Sequence, residues 1–363
     1  MHGVARHCRN AVETMQETIN LKQLSELLNL SQTTVSRALN GYPEVNEQTR
    51  KRVMEAARTH GYRPNPSARS LATGKSGSIG YVLPVGSNVE LDPHFVEFLS
   101  GLGEFALTRG MNMVLSPALK DEEEATYRRI AAHGSVDAVY LSSMRNIDTR
   151  IPLLQSLNQP FVAHGRTIME GVSYPYMDID NEGAFYHAAR HLLELGHRRF
   201  AFVNGDTDFT FAVHRKRGVV RALGEFGLGE ADCLFMSEEM NEENGFSCAK
   251  AAFAGKTAAE RPTAVLSSSM FTTLGIVRAL GQLGLTMPRD VSLITHDDVF
   301  HFMKPESFTV PLTTTTSSIR KAGVRIGELL FEAAAGRLDP DFGEIWPVEL
   351  TLRASTGPAP VQA

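Results

Sequence analysis

The sequence predicts an α/β protein: a small helical head joined to a larger two-lobed body. Three observations predict it. Residues 18–75 hold nine Lys/Arg against four Glu, a net charge of +5, although the whole chain carries −5. A basic head on an acidic body is the charge pattern of a nucleic-acid-binding module fused to something else. Within residues 21–60, apolar residues recur at helical spacing in three short segments separated by turn residues. From Ser78 onward, apolar runs of strand length alternate with amphipathic segments of helix length, the pattern of parallel sheets covered on both faces. About 285 residues of this alternation suit two lobes better than one.

Residues 1–18 show no apolar periodicity and read as a flexible tail. Leu21, Leu24, Leu27 and Leu28 then mark a first helix. Asn29-Leu30 makes a short turn, and Ser31 is placed to cap a second helix over Gln32–Leu39, which Asn40-Gly41-Tyr42-Pro43 stops. A third helix runs from about Glu47 to His60 and ends at Gly61, completing a helix-turn-helix head over residues 19–64. At 100° per residue, Val35, Ala38 and Leu39 share one side of the second helix, and Gln32, Thr33, Ser36 and Arg37 share the other. That outward set contains no acid and is short enough to meet base edges in a major groove. Residues 65–77 form a hinge: Asn65 caps and Pro66 starts a helix of about two turns, too short to be stable alone.

The body covers residues 78–356, with a short tail at 357–363. Its strand-like runs are 79–83, 111–115, 136–141, 161–163, 200–203, 264–266 and 291–295. Its helical stretches are 95–109, 122–132, 182–195, 212–226, 244–254, 271–283 and 319–335. Ligands of such folds bind at the carboxyl ends of the strands.

Several other classes are argued against. No apolar run approaches the ~20 residues that span a bilayer, and Met1 to Glu17 lacks a hydrophobic signal segment. Cys8, Cys233 and Cys248 have neither metal nor disulfide spacing, so a cytoplasmic, reduced protein without cofactor or metal is expected. Gly101-Leu102-Gly103-Glu104-Phe105-Ala106 fits a dinucleotide fingerprint but falls inside a helix. Gly74-Lys75-Ser76 lacks the first glycine of a phosphate loop, having Arg69 there. His296-Asp297-Asp298 cannot converge on one metal, because successive strand residues alternate sides. No catalytic constellation stands out, and a non-enzyme is expected.

The head, INLKQLSELLNLSQTTVSRALNG with its core Thr34–Gly41, resembles the DNA-binding head of the lactose-repressor (LacI/GalR) family. The resemblance continues through Thr49–Val53 and Gly61–Asn65 to Ala68, Leu71 and Ala72. It resumes at Gly196-His197, Arg215–Gly218, Pro288, His296-Asp297-Asp298 and Pro311–Thr314. It implies a periplasmic-binding-protein-like (type I) α/β effector domain behind the head, and a homodimer that reads a pseudo-palindromic operator. On this sequence, the implied base readers are Gln32, Thr33 and Arg37, with Thr34, Ser36 and Asn40 touching or supporting phosphates. Asn65, Ala68 and Leu71 fall in the implied hinge helix, Leu71 as a wedge between base steps of the minor groove. The resemblance also implies that Arg215 and Asp297 grip the effector. Phe95, His94 and Arg166 are weaker candidates for the same site. Where many relatives carry Asn-Asp this chain has Ser269-Met270, making Ser269 and Phe271 the nearby wall. Residues 40–46 and 92–95 are similar to those of repressors of α-glucoside uptake and breakdown. The expected function is therefore a repressor of carbohydrate genes released by a small sugar. The alternatives are a regulator using a corepressor such as a purine, and a solute-binding protein without DNA activity.

Overall fold

The structure, a computed structural model, describes residues 19–62, 74–85 and 93–361. The chain forms two compact units that divide between Ser76 and Gly77.

The first unit contains α1 (Leu21–Leu28), α2 (Gln32–Leu39) and α3 (Glu47–Thr59). Each starts on a side-chain cap that satisfies otherwise orphaned N–H groups. Asn20 and Gln23 cap α1 reciprocally, Ser31 Oγ accepts from Thr34 N at 3.0 Å, and Asn46 Oδ1 accepts from Thr49 N at 2.8 Å. Leu24, Leu28, Val35, Ala38, Val45, Val53 and Ala57 form the core. Leu27, expected on the apolar face, is instead 54% exposed. The Arg52 guanidinium donates to the Leu28 carbonyl, tying α3 to the end of α1.

The second unit has two lobes of like design. In the first lobe come β1 (Ser78–Pro84), α4 (Pro93–Arg109), β2 (Asn112–Ala118), α5 (Glu123–His133), β3 (Ala138–Leu141), α6 (Arg150–Ser156), β4 (Phe161–His164) and β5 (Tyr176–Ile179). The chain then crosses to α7 (Asn181–Glu194), β6 (Phe200–Asn204), α8 (Thr210–Glu225), β7 (Cys233–Ser237), α9 (Glu242–Phe253), β8 (Ala264–Ser267), α10 (Met270–Gln282), β9 (Ser292–Asp297) and β10 (Thr313–Thr316). It returns through α11 (Ile319–Ala334) and β11 (Gly343–Trp346) to the first lobe, and ends in the second with β12 (Glu349–Thr351). The sheet orders are β2-β1-β3-β4-β5-β11 and β7-β6-β8-β9-β10-β12, the same winding twice. Among the described residues, every pairing between these strands is parallel except β10 with β12, and an isolated antiparallel bridge joins Arg145 and Phe209.

Separate apolar clusters fill the two faces of each sheet. On one face of the first sheet, α4 and α11 meet backbone to backbone. A Cβ at Gly101 would overlap the Arg320 carbonyl, and one at Gly323 would overlap the Phe98 carbonyl. The glycine at the fingerprint-like sequence is thus a packing glycine in mid-helix. This seating fixes the N-terminal turn of α4 over the carboxyl ends of β1 and β3. Among the described residues, no helix is long and apolar enough to cross a membrane.

Candidate functional site

On α2, Gln32, Thr33 and Arg37 are exposed, while Thr34 and Ser36 are half-buried. Two of the expected phosphate contacts also have local work. Thr34 Oγ1 lies 2.8 Å from the capping Ser31 Oγ, and Asn40 Nδ2 donates to the Ser36 carbonyl at 2.9 Å, closing the end of the helix. Arg37 forms no ion pair with a described residue, so its five donors remain available. Asn65, Ala68 and Leu71 lie outside the described residues.

In the second unit, a cavity of about 570 Å³ opens between the lobes at the carboxyl ends of both sheets. Aromatic side chains supply much of the first-lobe wall. Tyr81 packs on Phe95 with ring centroids 4.8 Å apart, and Tyr140 stacks on Phe98 at 4.3 Å. His164 closes this wall beside Tyr140, and burial pushes its imidazole down to about 4, so it is neutral at physiological pH.

The second lobe contributes charge. Arg215, on α8, is buried between the rings of Phe185 and Phe211, at 5.1 and 5.0 Å. Its Nε donates to Asn181 Oδ1 at 2.8 Å and its Nη1 to the Ser268 carbonyl at 2.7 Å. Burial pushes its guanidinium down to about 10, opposed by Asp298 and Asp178. The side chain is therefore charged and rigidly oriented, with Nη2 left to donate. Asp298, just past β9, is also buried. Its Oδ2 lies 3.0 Å from His94 Nε2 and its Oδ1 3.5 Å from His296 Nε2. Burial alone would raise this carboxyl, but the two imidazoles outweigh it and hold Asp298 well below the usual carboxylate range. His94 lies in the first turn of α4 in the first lobe, so the His94–Asp298 contact also joins the two lobes.

The geometry corrects part of the expected site. Arg215, His94 and Phe95 line the cavity, but Asp297 does not. Strand alternation turns its carboxylate away, where Oδ1 accepts from Val299 N at 2.8 Å. Ser269 is fully buried as the cap of α10, its Oγ 2.7 Å from Thr272 Oγ1. Phe271 sits behind the wall, edge-on to His94 at 5.4 Å. Arg166 donates to Asp178 Oδ2 at 2.8 Å and supports that lining carboxylate without lining the cavity itself. Sequence reasoning missed Asn181 and the Ser268 carbonyl, which hold Arg215, and Asp298, which faces it electrostatically.

A three-helix head with an acid-free reading helix, followed by a two-lobed body with a polar and aromatic cleft, defines a DNA-binding regulator that senses a small molecule. The comparisons with known proteins agree. Residues 20–65 match the family of bacterial regulatory proteins of the lacI type, and residues 189–356 match a periplasmic binding protein-like domain. The HTH-type transcriptional regulator AglR of Rhizobium meliloti (strain 1021) is 53% identical over 342 residues, covering 94% of this chain and 95% of that one. The chain belongs to the LacI family of sequence-specific transcriptional regulators. RafR of Escherichia coli, another HTH-type transcriptional regulator, is 29% identical, covering 88% and 93% of the two chains. Among solved structures, a complex of the transcriptional regulator CelR with cellobiose is 25% identical with a TM-score of 0.65, covering 93% of this chain and 99% of that one. The lac repressor dimer bound to operator and the anti-inducer ONPF shares the fold, with 21% identity and a TM-score of 0.78 over 94% of this chain and 100% of that one.

Proposed function

We propose that this regulator is a homodimeric, cytoplasmic repressor of carbohydrate uptake and catabolism genes that leaves a pseudo-palindromic operator when a sugar fills the cavity. The observation that carries the reading is that Arg215 and Asp298 line the same cavity beneath aromatic walls. A fixed guanidinium and an ionised carboxylate can each engage two neighbouring hydroxyls, and the flat rings match the C–H faces of a pyranose. CelR, of like architecture, was solved with cellobiose, and the sequence resemblance favours an α-glucoside here.

On the DNA side, Arg37 pairs with a guanine edge, Gln32 and Thr33 read neighbouring bases, and Thr34, Ser36 and Asn40 meet or support phosphates. Asn65, Ala68 and Leu71 belong, by the family resemblance, to a segment that engages the minor groove. The sugar acts by changing the relation of the two lobes, to which the His94–Asp298 contact is sensitive, and thereby the spacing of the two heads.

A band-shift titration of the full chain on the DNA upstream of its own gene, with and without α-glucosides, tests this. The expected result is a loss of operator affinity of at least about tenfold, about 1.4 kcal/mol. Tighter binding with sugar would make the ligand a corepressor, and indifference to every saccharide would remove the sugar reading.

A further inference from the structure

The chain crosses between the lobes three times, at residues 179–181, 316–319 and 346–349. These crossings leave from β5 and β11 at one edge of the first sheet and from β10 and β12 at the matching edge of the second. Away from that edge, the segment after β3 pairs with the segment after β6. Arg145 and Phe209 form an isolated antiparallel bridge. Thr210 N donates to the Met144 carbonyl at 3.0 Å, and Asn146 N to the Asp208 carbonyl at 3.2 Å. Two side chains add to it. Thr210 Oγ1 donates to the same Met144 carbonyl at 3.1 Å, and Asn146 Nδ2 to the Thr207 carbonyl at 2.8 Å.

Each side of this pairing is held by its own lobe. On the first, Arg145 N donates to the buried Asp148 carboxylate at 3.0 Å, Arg150 Nε to the same carboxylate at 2.8 Å, and Thr167 Oγ1 to the Asn146 carbonyl at 2.8 Å. On the second, Asn204 Nδ2 at the end of β6 donates to the Ala212 carbonyl at 2.9 Å, fixing the first turn of α8. The pairing runs between two cavities. Met144 and Thr210 line the one that holds Arg215. Arg145, Asn146, Asp208 and Phe209 line another, of about 600 Å³, on the opposite side. Between two open spaces, the hydrogen bonds supply most of its hold.

In the first sheet β3 stands two strands from β5, and in the second β6 stands three strands from β10. At about 4.8 Å per strand, the pairing lies about 10–14 Å from the crossings. A rotation of about 10° about the crossings moves it by about 2 Å, enough to break all four bonds at once. Opening the lobes therefore means breaking this pairing. It also reaches the charge in the cavity directly, because Thr210 is the first residue of α8, the helix that carries Arg215.

We propose that the pairing of residues 144–146 with 207–210 is a clasp that sets the balance between closed and open lobes, so that no effector response occurs while it is held shut. This rests on the reading of the Arg215 cavity as the effector site and adds the contact that governs it. Removing one hydrogen bond from the clasp should shift the balance towards open about fivefold.

Two experiments on the full-length chain test it. Thr210 N lies in the first turn of α8, where no intrahelical acceptor exists, so hydrogen exchange of the Thr210 and Asn146 amides reads the clasp directly. The expected result is slow exchange at one common rate for both. Asn146→Asp sets a carboxylate against the Thr207 carbonyl. It should speed exchange of the Thr210 amide at least about fivefold and leave the Val139 and Phe202 amides of the sheets unchanged. The second experiment locks the clasp. Arg145 and Phe209 are a non-hydrogen-bonded antiparallel pair, with Cα atoms about 4.5 Å apart, within reach of a disulfide. Arg145→Cys with Phe209→Cys, once oxidised, should make operator affinity in band shifts indifferent to maltose, sucrose and trehalose, and reduction should restore the response. The wild-type chain, oxidised in parallel, controls for Cys8, Cys233 and Cys248. Three results each overturn the clasp and leave the saccharide reading standing: unequal rates for the two amides, a Thr210 rate untouched by Asn146→Asp, or an oxidised variant that responds as its reduced form does. If the wild-type chain ignores all three sugars, the saccharide reading falls, and the exchange rates alone decide the clasp.

Discussion

Asp297 and Asp298 are neighbours in sequence with opposite surroundings, and the amide substitution of each should therefore have opposite effects. Asp297 is buried away from the cavity, and burial pushes its carboxyl up to about 6 from an ordinary 3.8, with Asp298 and Glu306 adding to the rise and Val299 N opposing it. A carboxyl raised in the fold holds its proton after the unfolded chain has released it. Stability therefore falls as pH rises from about 4 to about 6, and the full cost is present above that window. A shift of about two pH units corresponds to about 3 kcal/mol at most. Asp297→Asn removes the charge, while its amide oxygen can still accept from Val299 N. It should stabilise the protein by about 1–3 kcal/mol at pH 8, have little effect near pH 4, and leave the sugar response intact. Asp298→Asn removes a carboxylate held low by His296 and His94. Charge-assisted hydrogen bonds of this kind are worth about 1.5–3 kcal/mol each, so sugar affinity should fall at least about tenfold with operator binding retained. Urea unfolding at the two pH values, with band shifts in the presence of sugar, reads all of these. If Asp297→Asn instead abolishes the sugar response in a folded protein, its carboxylate acts in the cavity and the assignment of sides along β9 is wrong.

Arg37→Ala should cost about 1–3 kcal/mol at the cognate operator and relax discrimination at one base pair; quantitative band shifts on single-base operator variants check it, and unchanged discrimination would make Arg37 a phosphate contact. Arg215→Lys gives up the fork that binds Asn181 and Ser268 together, so calorimetry should find sugar binding weakened at least about tenfold although the charge is kept. Gly101→Ala drives a Cβ into the Arg320 carbonyl and should destabilise by about 1–3 kcal/mol or more. Gly103→Ala, two residues on in the same helix, meets nothing closer than Met113 Sδ at 4.0 Å and should stabilise by about 0.5–1 kcal/mol. Equal melting behaviour of these two variants would show that α4 and α11 are not in backbone contact.

Where local physics decides a structure, the sequence is legible. The ends of α2 follow from Ser31 and from Asn40-Gly41, because a cap and a stop are properties of a few adjacent residues. The alternating strands and helices of the body are legible for the same reason: each long apolar run needs a covered face. The strands β5, β7, β10, β11 and β12 were not legible, although β3, β4 and β8, equally short or nearly so, were. β10 is four threonines, three of them fully buried, and shows no hydrophobic pattern. Its hydroxyls are instead satisfied by groups far along the chain, such as Thr356 and the Arg353 carbonyl for Thr313. β11 joins the first sheet beside β5 from more than 160 residues away in sequence, and no local signal carries such a pairing.

The same division runs through the site. Arg215 can be picked out by resemblance, but what makes it a rigid donor is Asn181, 34 residues earlier, and a backbone carbonyl 53 residues later. At His296-Asp297-Asp298 the local rule was the better guide. The alternation that forbids all three from sharing a metal also puts His296 and Asp298 on one side and Asp297 on the other, and the structure places His296 Nε2 next to Asp298 Oδ1. Resemblance selected the first aspartate because family motifs align letters. The cavity selects the second because a carboxylate there is stabilised by His94 from the opposite lobe, a partner visible only once both sheets have formed and the cleft between them has closed around it.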